Sequence, residues 1–348
     1  MATATAVGLP EMASEYTAEV VADLQAMVVG GLACWNLSPV TAVTLLNVSE
    51  NATFALSDPV SGRELVLRVH RVGYSSSEEI RSELAWINAL CSDAVIETAA
   101  PIPSRDGNLV RTLQSPSGQP PRFAVAFERL PGKAPEAGSE AVSWFERLGE
   151  LTARLHLHSR SWRRPADFRR RRWDIDAMVG PNGCWGSWYL APGLDQPGTR
   201  AIERALTLIA RRIGEFGAGP ERFGLVHADL RLANLLVCGN RLHIIDFDDC
   251  GFSWFLYDFA SAVSFIEHEP IVPQLLQAWI GGYRQVAPLS REECAEIPTF
   301  VILRRILLTA WLASHAEIPF ARQFGPSYTA GTVALAESFE RGRFLADS

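Results

Sequence analysis

The chain has 348 residues, 48% of them apolar and 20% charged, with a formal net charge of −7. That is enough chain for one large or two ordinary domains with real cores, in an ordinary soluble balance. The acidic balance argues against a dedicated nucleic-acid binder, and six scattered cysteines without a C-x-x-C pair argue against a disulfide or zinc framework.

Of the 32 basic residues only Lys133 is a lysine, so any task needing a fixed cation falls to arginine. The N-terminus has no basic region of the signal-peptide kind, and "AMVVGGLACW" is too short and too glycine-broken to span a bilayer. The expectation is a cytoplasmic protein with neither nucleic acid nor membrane as partner.

In chain order, residues 18–34 read as a helix, with Val20, Val21, Leu24, Met27 and Val28 near helical spacing. The period then changes. "VTLLNVSENATFALS" and "RELVLRVHR" are β-rich runs separated by the turn "DPVSG". "SSSEEIRSELAWINAL" returns to helix, with Glu78 and Glu79 in its first turn and Ile80, Leu84, Ile87 and Leu90 on one face. "NLVRTL" and "RFAVAFERL" read as further strands. At "LPGKAPEAGSE" the composition turns to proline, glycine and small polar residues, which places a domain boundary near residue 130. Beyond it helices predominate, except for three short β-like pieces, "GLVHADL", "ANLLVC" and "RLHIIDF". These form a small acid-bearing hairpin in a helix-rich lobe.

That hairpin carries the chemistry. His227, Asp229 and Asn234 form H-x-D-x-x-x-x-N, and Asp246 opens D-F-D twelve residues later. Asp229, in a loop after an apolar strand, can accept a proton from a hydroxyl. Asn234 and Asp246 are hard oxygen ligands that suit Mg2+ and leave coordination positions for phosphate oxygens. Individually each polar residue could cap a turn; the joint spacing between two apolar strands argues against that.

At "HADLRLAN", "IIDFDD" and "YDFA" the sequence resembles the aminoglycoside phosphotransferase and choline/homoserine kinase superfamily, over roughly residues 20–340. The resemblance implies an α+β, protein-kinase-like fold of two lobes. A small sheet-rich nucleotide-binding lobe would span 1–129, and a larger helical lobe for catalysis and substrate binding 130–348. It implies ATP and Mg2+ as cofactors, Asp229 as catalytic base, and Asn234 and Asp246 as metal ligands. Arg231 stands where protein kinases often carry a lysine facing the γ-phosphate. Such a lobe needs a cation on its third strand and a glutamate on the next helix. Arg68 and Glu83 are the candidates, with Val66 against the adenine. Arginine departs from the usual lysine, with a surface-strand arginine as the alternative to a phosphate-binding one. No G-x-G-x-x-G is present; Ser49, Asn51 and Thr53 in "SENATFAL" would offer donors to phosphate instead. Glu128 to Leu130 would be the hinge beside the adenine. His227 and Asp258 would hold the loop, with His156 and His158 packed beneath it. One of Asp248 and Asp249 would assist the metal, or both would face solvent.

Asp246 and Asp258 are only twelve residues apart and no A-P-E follows, which favours a small-molecule hydroxyl over a peptide as acceptor. The arginine- and tryptophan-rich insert "SRSWRRPADFRRRRWDIDAMVGPNGCWGSW" is either a solvated basic face or a wall of the acceptor pocket. In the second case its arginines favour an anionic acceptor such as a homoserine-like amino acid over an aminoglycoside; simple amino alcohols remain in the class. Two alternatives stay open: a bacterial Ser/Thr protein kinase of the stress-response type, and a non-catalytic nucleotide-binding module.

Overall fold

A computed structural model of the protein describes residues 17–48, 51–315 and 319–345. The described chain groups into two compact units. One holds residues up to Ser77 with Pro101–Arg129 and His315–Phe324; the other holds Glu78–Ala100, Leu130–Ser314 and the residues from Gly325 on.

The first unit is an antiparallel sheet backed by a helix. Its strands are β1 (Ala42–Val48), β2 (Ala52–Ser57), β3 (Glu64–Val69), β4 (Pro101–Ile102), β5 (Arg111–Leu113) and β6 (Arg122–Glu128). They run β1-β2-β3-β6-β4, and β5 also pairs with β6. Helix α1 (Ala18–Gly31) is capped by the Thr17 hydroxyl, which accepts from the Val20 amide at 3.3 Å. It lays Leu24, Met27 and Val28 on a core with Phe54, Leu56, Leu65, Leu67 and Val69. Strand alternation turns the intervening residues to the other face. There Thr53 stands opposite Arg68, and Arg68 opposite Val125; Ala55, Val66 and Phe127 form the next row.

The second unit takes in all but the first residue of α2 (Ser77–Ser92), then α3 (Ala141–Ser161), α4 (Ile175–Val179) and α5 (Gln196–Phe216). Two hairpin-sized sheets follow, from β7 (Phe223–Val226), β8 (Leu235–Cys238), β9 (Arg241–Ile244) and β10 (Gly251–Trp254). Helices α6 (Tyr257–Ala262), α7 (Val272–Arg284), α8 (Arg291–Ser314) and most of α9 (Pro319–Glu340) complete it. The expected hairpin exists as β8–β9, but β7 pairs with β10, a strand that the sequence did not announce. By length and composition α8 could cross a membrane, yet 78% of its apolar window is buried among its neighbours. It is a core helix.

Helices α3 and α7 approach through glycine. A Cβ on Gly149 would lie 2.0 Å from the Trp279 carbonyl oxygen, and one on Gly282 would lie 1.8 Å from that of Glu146. Both obstacles are backbone and cannot swing aside, so Gly282→Ala should force the helices apart. A loss of about 3 kcal/mol in unfolding free energy is expected, at the upper end of overpacking costs. Denaturant titration measures it, and a loss below about 1 kcal/mol would show that the crossing is loose.

Candidate active site

Strand β7 delivers its chain into a loop whose backbone is anchored from α6. The Asp258 carboxylate, fully buried, accepts the His227 amide at 3.2 Å and the Ala228 amide at 2.7 Å. It also accepts His156 Nε2–H at 3.0 Å, while His156 Nδ1 accepts the Tyr283 hydroxyl at 3.1 Å. Ala228 is thereby held at φ 68°, a left-handed backbone unusual for a residue with a Cβ. The His227 ring closes the loop internally: Nδ1 accepts the Asp229 amide at 3.2 Å and Nε2–H donates to the Ile245 carbonyl at 3.2 Å. Burial lowers the pKa of this imidazole, as a neutral ring with one donor and one acceptor requires.

Asp229 emerges from this frame with its side chain 14% exposed and three cationic or amide donors upon it. Arg304 Nη2 of α8 donates to Oδ1 at 2.8 Å. Arg231 Nε donates to Oδ2 at 3.2 Å, and Asn234 Nδ2 to the same oxygen at 2.6 Å. Because the Asn234 amide nitrogen is turned to Asp229, its oxygen points away from the carboxylate, the orientation a hard cation needs. Asp246 follows β9, exposed and at φ 65°, a second left-handed non-glycine residue. The Ile245 amide donates to the Asn234 carbonyl at 3.0 Å, which couples the two loops. Among the described residues no three His, Cys, Asp or Glu side chains converge into a closed metal cage. An amide and a carboxylate are an open donor set of the kind that shares its ion with phosphate.

The insert reaches this loop from outside. Arg170 Nε donates to the Cys250 carbonyl at 2.5 Å and Nη1 to that of Glu79 at 3.1 Å; Nη2 donates to the Asp248 carbonyl. Trp173 Nε1 donates to the Asp249 carbonyl at 2.8 Å. Arg171 Nη1 lies 3.6 Å from the Asp249 carboxylate, and Arg172 pairs with Asp174 at 3.1 Å. The picture of a wholly solvated basic face therefore gives way: Arg170 is buried, and its charge is directed at backbone carbonyls. Asp248 is buried too and Asp249 only 14% exposed, so the expectation that both face solvent is corrected.

The other nominated residues fall as follows. Arg68 is buried on β3 on the same strand face as Val66, its guanidinium 4.9 Å from the Phe127 ring centroid. It belongs to the first unit. Glu83 belongs to the second, fully buried on the α2 face that also carries Ile80, Leu84, Ile87 and Leu90. Ser49 lies outside the described residues. Asn51 is buried and its side-chain oxygen accepts the Arg71 amide at 3.2 Å. Thr53 is half-buried opposite Arg68. Glu128 ends β6, exposed, and Leu130 begins the stretch assigned to the second unit. His158 differs from expectation: it accepts Trp86 Nε1 at 3.3 Å and meets Asp93 at 3.2 Å, and only His156 supports the loop.

Sequence reasoning passed over Arg304, 75 residues from Asp229. One signal was available. "LRRILL" puts two adjacent arginines in a helix apolar on all sides, and buried charges need partners.

An antiparallel sheet unit and a helical unit that presents Asp229, Asn234 and Asp246 from anchored loops are the features of a phosphotransferase of protein-kinase-like fold. The profile described as "Phosphotransferase enzyme family" matches residues 42–289, and the chain belongs to that family. Its structure is similar to a microcompartment-associated aminopropanol kinase, with a TM-score of 0.85 and 41% identity over 92% of this chain and 98% of that one. It is also similar in fold to the amicoumacin kinase hAmiN solved with AMP-PNP, Ca2+ and Ami, at TM-score 0.73 and 22% identity over 95% and 96% of the two chains. In sequence it is 26% identical over 214 residues to a homoserine kinase of Neisseria meningitidis serogroup B, covering 59% of this chain and 62% of that protein.

Proposed function

We propose that the protein transfers the γ-phosphoryl group of ATP to the hydroxyl of a small amino alcohol of the aminopropanol type. Asp229 orients that hydroxyl and takes its proton, and Asn234 and Asp246 would hold Mg2+. The ion, when bound, offsets the charge of the phosphates. Arg68 and Glu83 would serve the nucleotide's phosphates. The observation that carries the acceptor class is the 41% identity to an aminopropanol kinase across nearly both whole chains.

Residues of this chain agree with a cationic acceptor. Asp249 lies within electrostatic range of Asp229, Asp248, Arg171 and Arg304, with Arg171 Nη1 3.6 Å from its carboxylate. Burial pushes the Asp249 carboxyl up to about 7, against the pull of Arg171. A further cation beside it, such as the ammonium group of an amino alcohol, would favour its charged form. Arg170, Arg171 and Arg172 of the insert, meanwhile, have partners within the protein, which weakens their case for an anionic acceptor.

The test is nucleotide consumption by the purified protein with 1-amino-2-propanol, ethanolamine, homoserine, an aminoglycoside and uncharged 1,2-propanediol. Amino alcohols should give the highest kcat/KM; preference for homoserine or the diol would overturn the acceptor assignment. Asp249→Asn should raise the KM of the amino alcohol about 30-fold, in line with loss of a charge-assisted hydrogen bond, and leave that of the diol unchanged. The pH dependence has a definite sign. Asp249 loses its charge as pH falls through about 7, so the amino-alcohol KM should climb from pH 8 to pH 6 in the parent protein and stay flat in the variant.

A further inference from the structure

Arginine 304 is 1% exposed in the middle of α8, where an unpartnered guanidinium would be strongly destabilising. It meets four other residues. Nη2 donates to Asp229 Oδ1 at 2.8 Å, Nη1 to the Tyr257 hydroxyl at 3.0 Å, and Nε to the Ser264 hydroxyl at 3.2 Å. Its plane also lies 5.1 Å from the Trp185 ring centroid, on the insert. Burial opposes its charge, yet Tyr257, Asp229 and Asp249 together hold its pKa above the ordinary arginine value.

Its neighbour Arg305 provides an internal contrast. Arg305 is equally buried, but it pairs at 2.6 Å with the fully buried Glu267 and donates to Thr332 and the Tyr328 carbonyl. None of those groups touches the loop that bears Asp229. Two adjacent arginines on one helix thus serve different ends: one ties α8 to α9, the other ends on the candidate base.

We infer that Arg304 is a positioning residue for phosphoryl transfer. It fixes one oxygen of Asp229 so that the carboxylate plane is set for the acceptor hydroxyl, and links that setting to the insert through Trp185. The planar fork matters here. It reaches carboxylate, phenol and hydroxyl from three nitrogens at once, which an ammonium cannot do with the same geometry. This inference rests on Asp229 being the base.

The experiment compares Arg304→Met, Arg304→Lys, Arg305→Met and Asp229→Asn for kcat, KM of ATP, KM of the acceptor and Tm. Arg304→Met should lose about 100-fold in kcat, the scale of one misplaced electrostatic group, with KM for ATP within about 3-fold of the parent. Arg304→Lys should recover part of that loss, to about 10-fold below the parent, because charge remains while the fork is gone. Arg305→Met should lower Tm while kcat, measured below the transition, stays within about 3-fold. An Arg304→Met enzyme within about 3-fold of parental kcat overturns the inference, as does a kcat loss no greater than that of Arg305→Met at equal Tm. Should Arg304→Met not fold, Arg304→Lys decides alone by the same threshold. Transfer that survives in Asp229→Asn would remove the base assignment itself, a separate failure.

Discussion

Asp229→Asn should abolish measurable transfer, with kcat reduced by about 10³-fold, while Mg-ATP binding stays close to parental. With Asp229 as the proposed base, the chemistry loses its proton acceptor, since a carboxamide oxygen is too weakly basic to take a hydroxyl proton. Geometry adds to the loss. The parent carboxylate accepts from Arg304 on one oxygen and from Arg231 and Asn234 on the other. An amide in its place must aim its NH2 group at one of those sets of donors, so a side chain that was only acceptor becomes partly repelled. The nucleotide ligands proposed above lie elsewhere in the sequence and keep their identities. Single-turnover kinetics measures transfer, and calorimetry with Mg-ATP measures binding. Binding with unchanged turnover would mean that this fold is used here without Asp229 as a base, the reading of a non-catalytic nucleotide module.

The parts of this site that were legible in the sequence are those whose partners are near in the chain. H-x-D-x-x-x-x-N and D-F-D lie on either side of the β8–β9 hairpin, whose register, Leu235 opposite Ile244, brings Asn234 and Asp246 to one end. Spacing alone could express that. Strand alternation likewise put Arg68 and Val66 on one face of β3, and helical spacing put Ile80, Leu84, Ile87 and Leu90 together on α2. What could not be read is the set of long-range bonds between side chains and backbone. Arg170 donates to carbonyls 78 and 80 residues away, and a carbonyl has no side-chain signature. The pairing of β7 with β10 is similar, because four residues, "GFSW", are too few to show a period. Asp249 was ambiguous for a related reason: its chemistry is set by burial and by Arg171, neither encoded near residue 249.

Asp258 lies where these two kinds of information meet, and its removal should have the largest effect on stability. Asp258→Ala takes away the acceptor of two backbone amides and one imidazole N–H, all in a fully buried place. Each orphaned donor costs about 1–3 kcal/mol, partly offset by no longer burying a carboxylate, so a net loss of about 3–5 kcal/mol is expected. Asp258→Asn keeps one acceptor oxygen but turns an NH2 towards a donor, and should lose roughly half as much. Activity should fall with either change for a reason separate from global unfolding. Ala228 sits at φ 68° directly before Asp229, and without Asp258 its own amide loses its acceptor, leaving the His227 ring bonds to hold the turn. Hydrogen exchange distinguishes the two effects. The His227 and Ala228 amides should lose protection in Asp258→Asn under conditions where the amides of α3 and α7 remain protected. If those two amides exchange no faster than in the parent, Asp258 is a packing residue, and the strained turn that presents Asp229 is held by something other than its carboxylate.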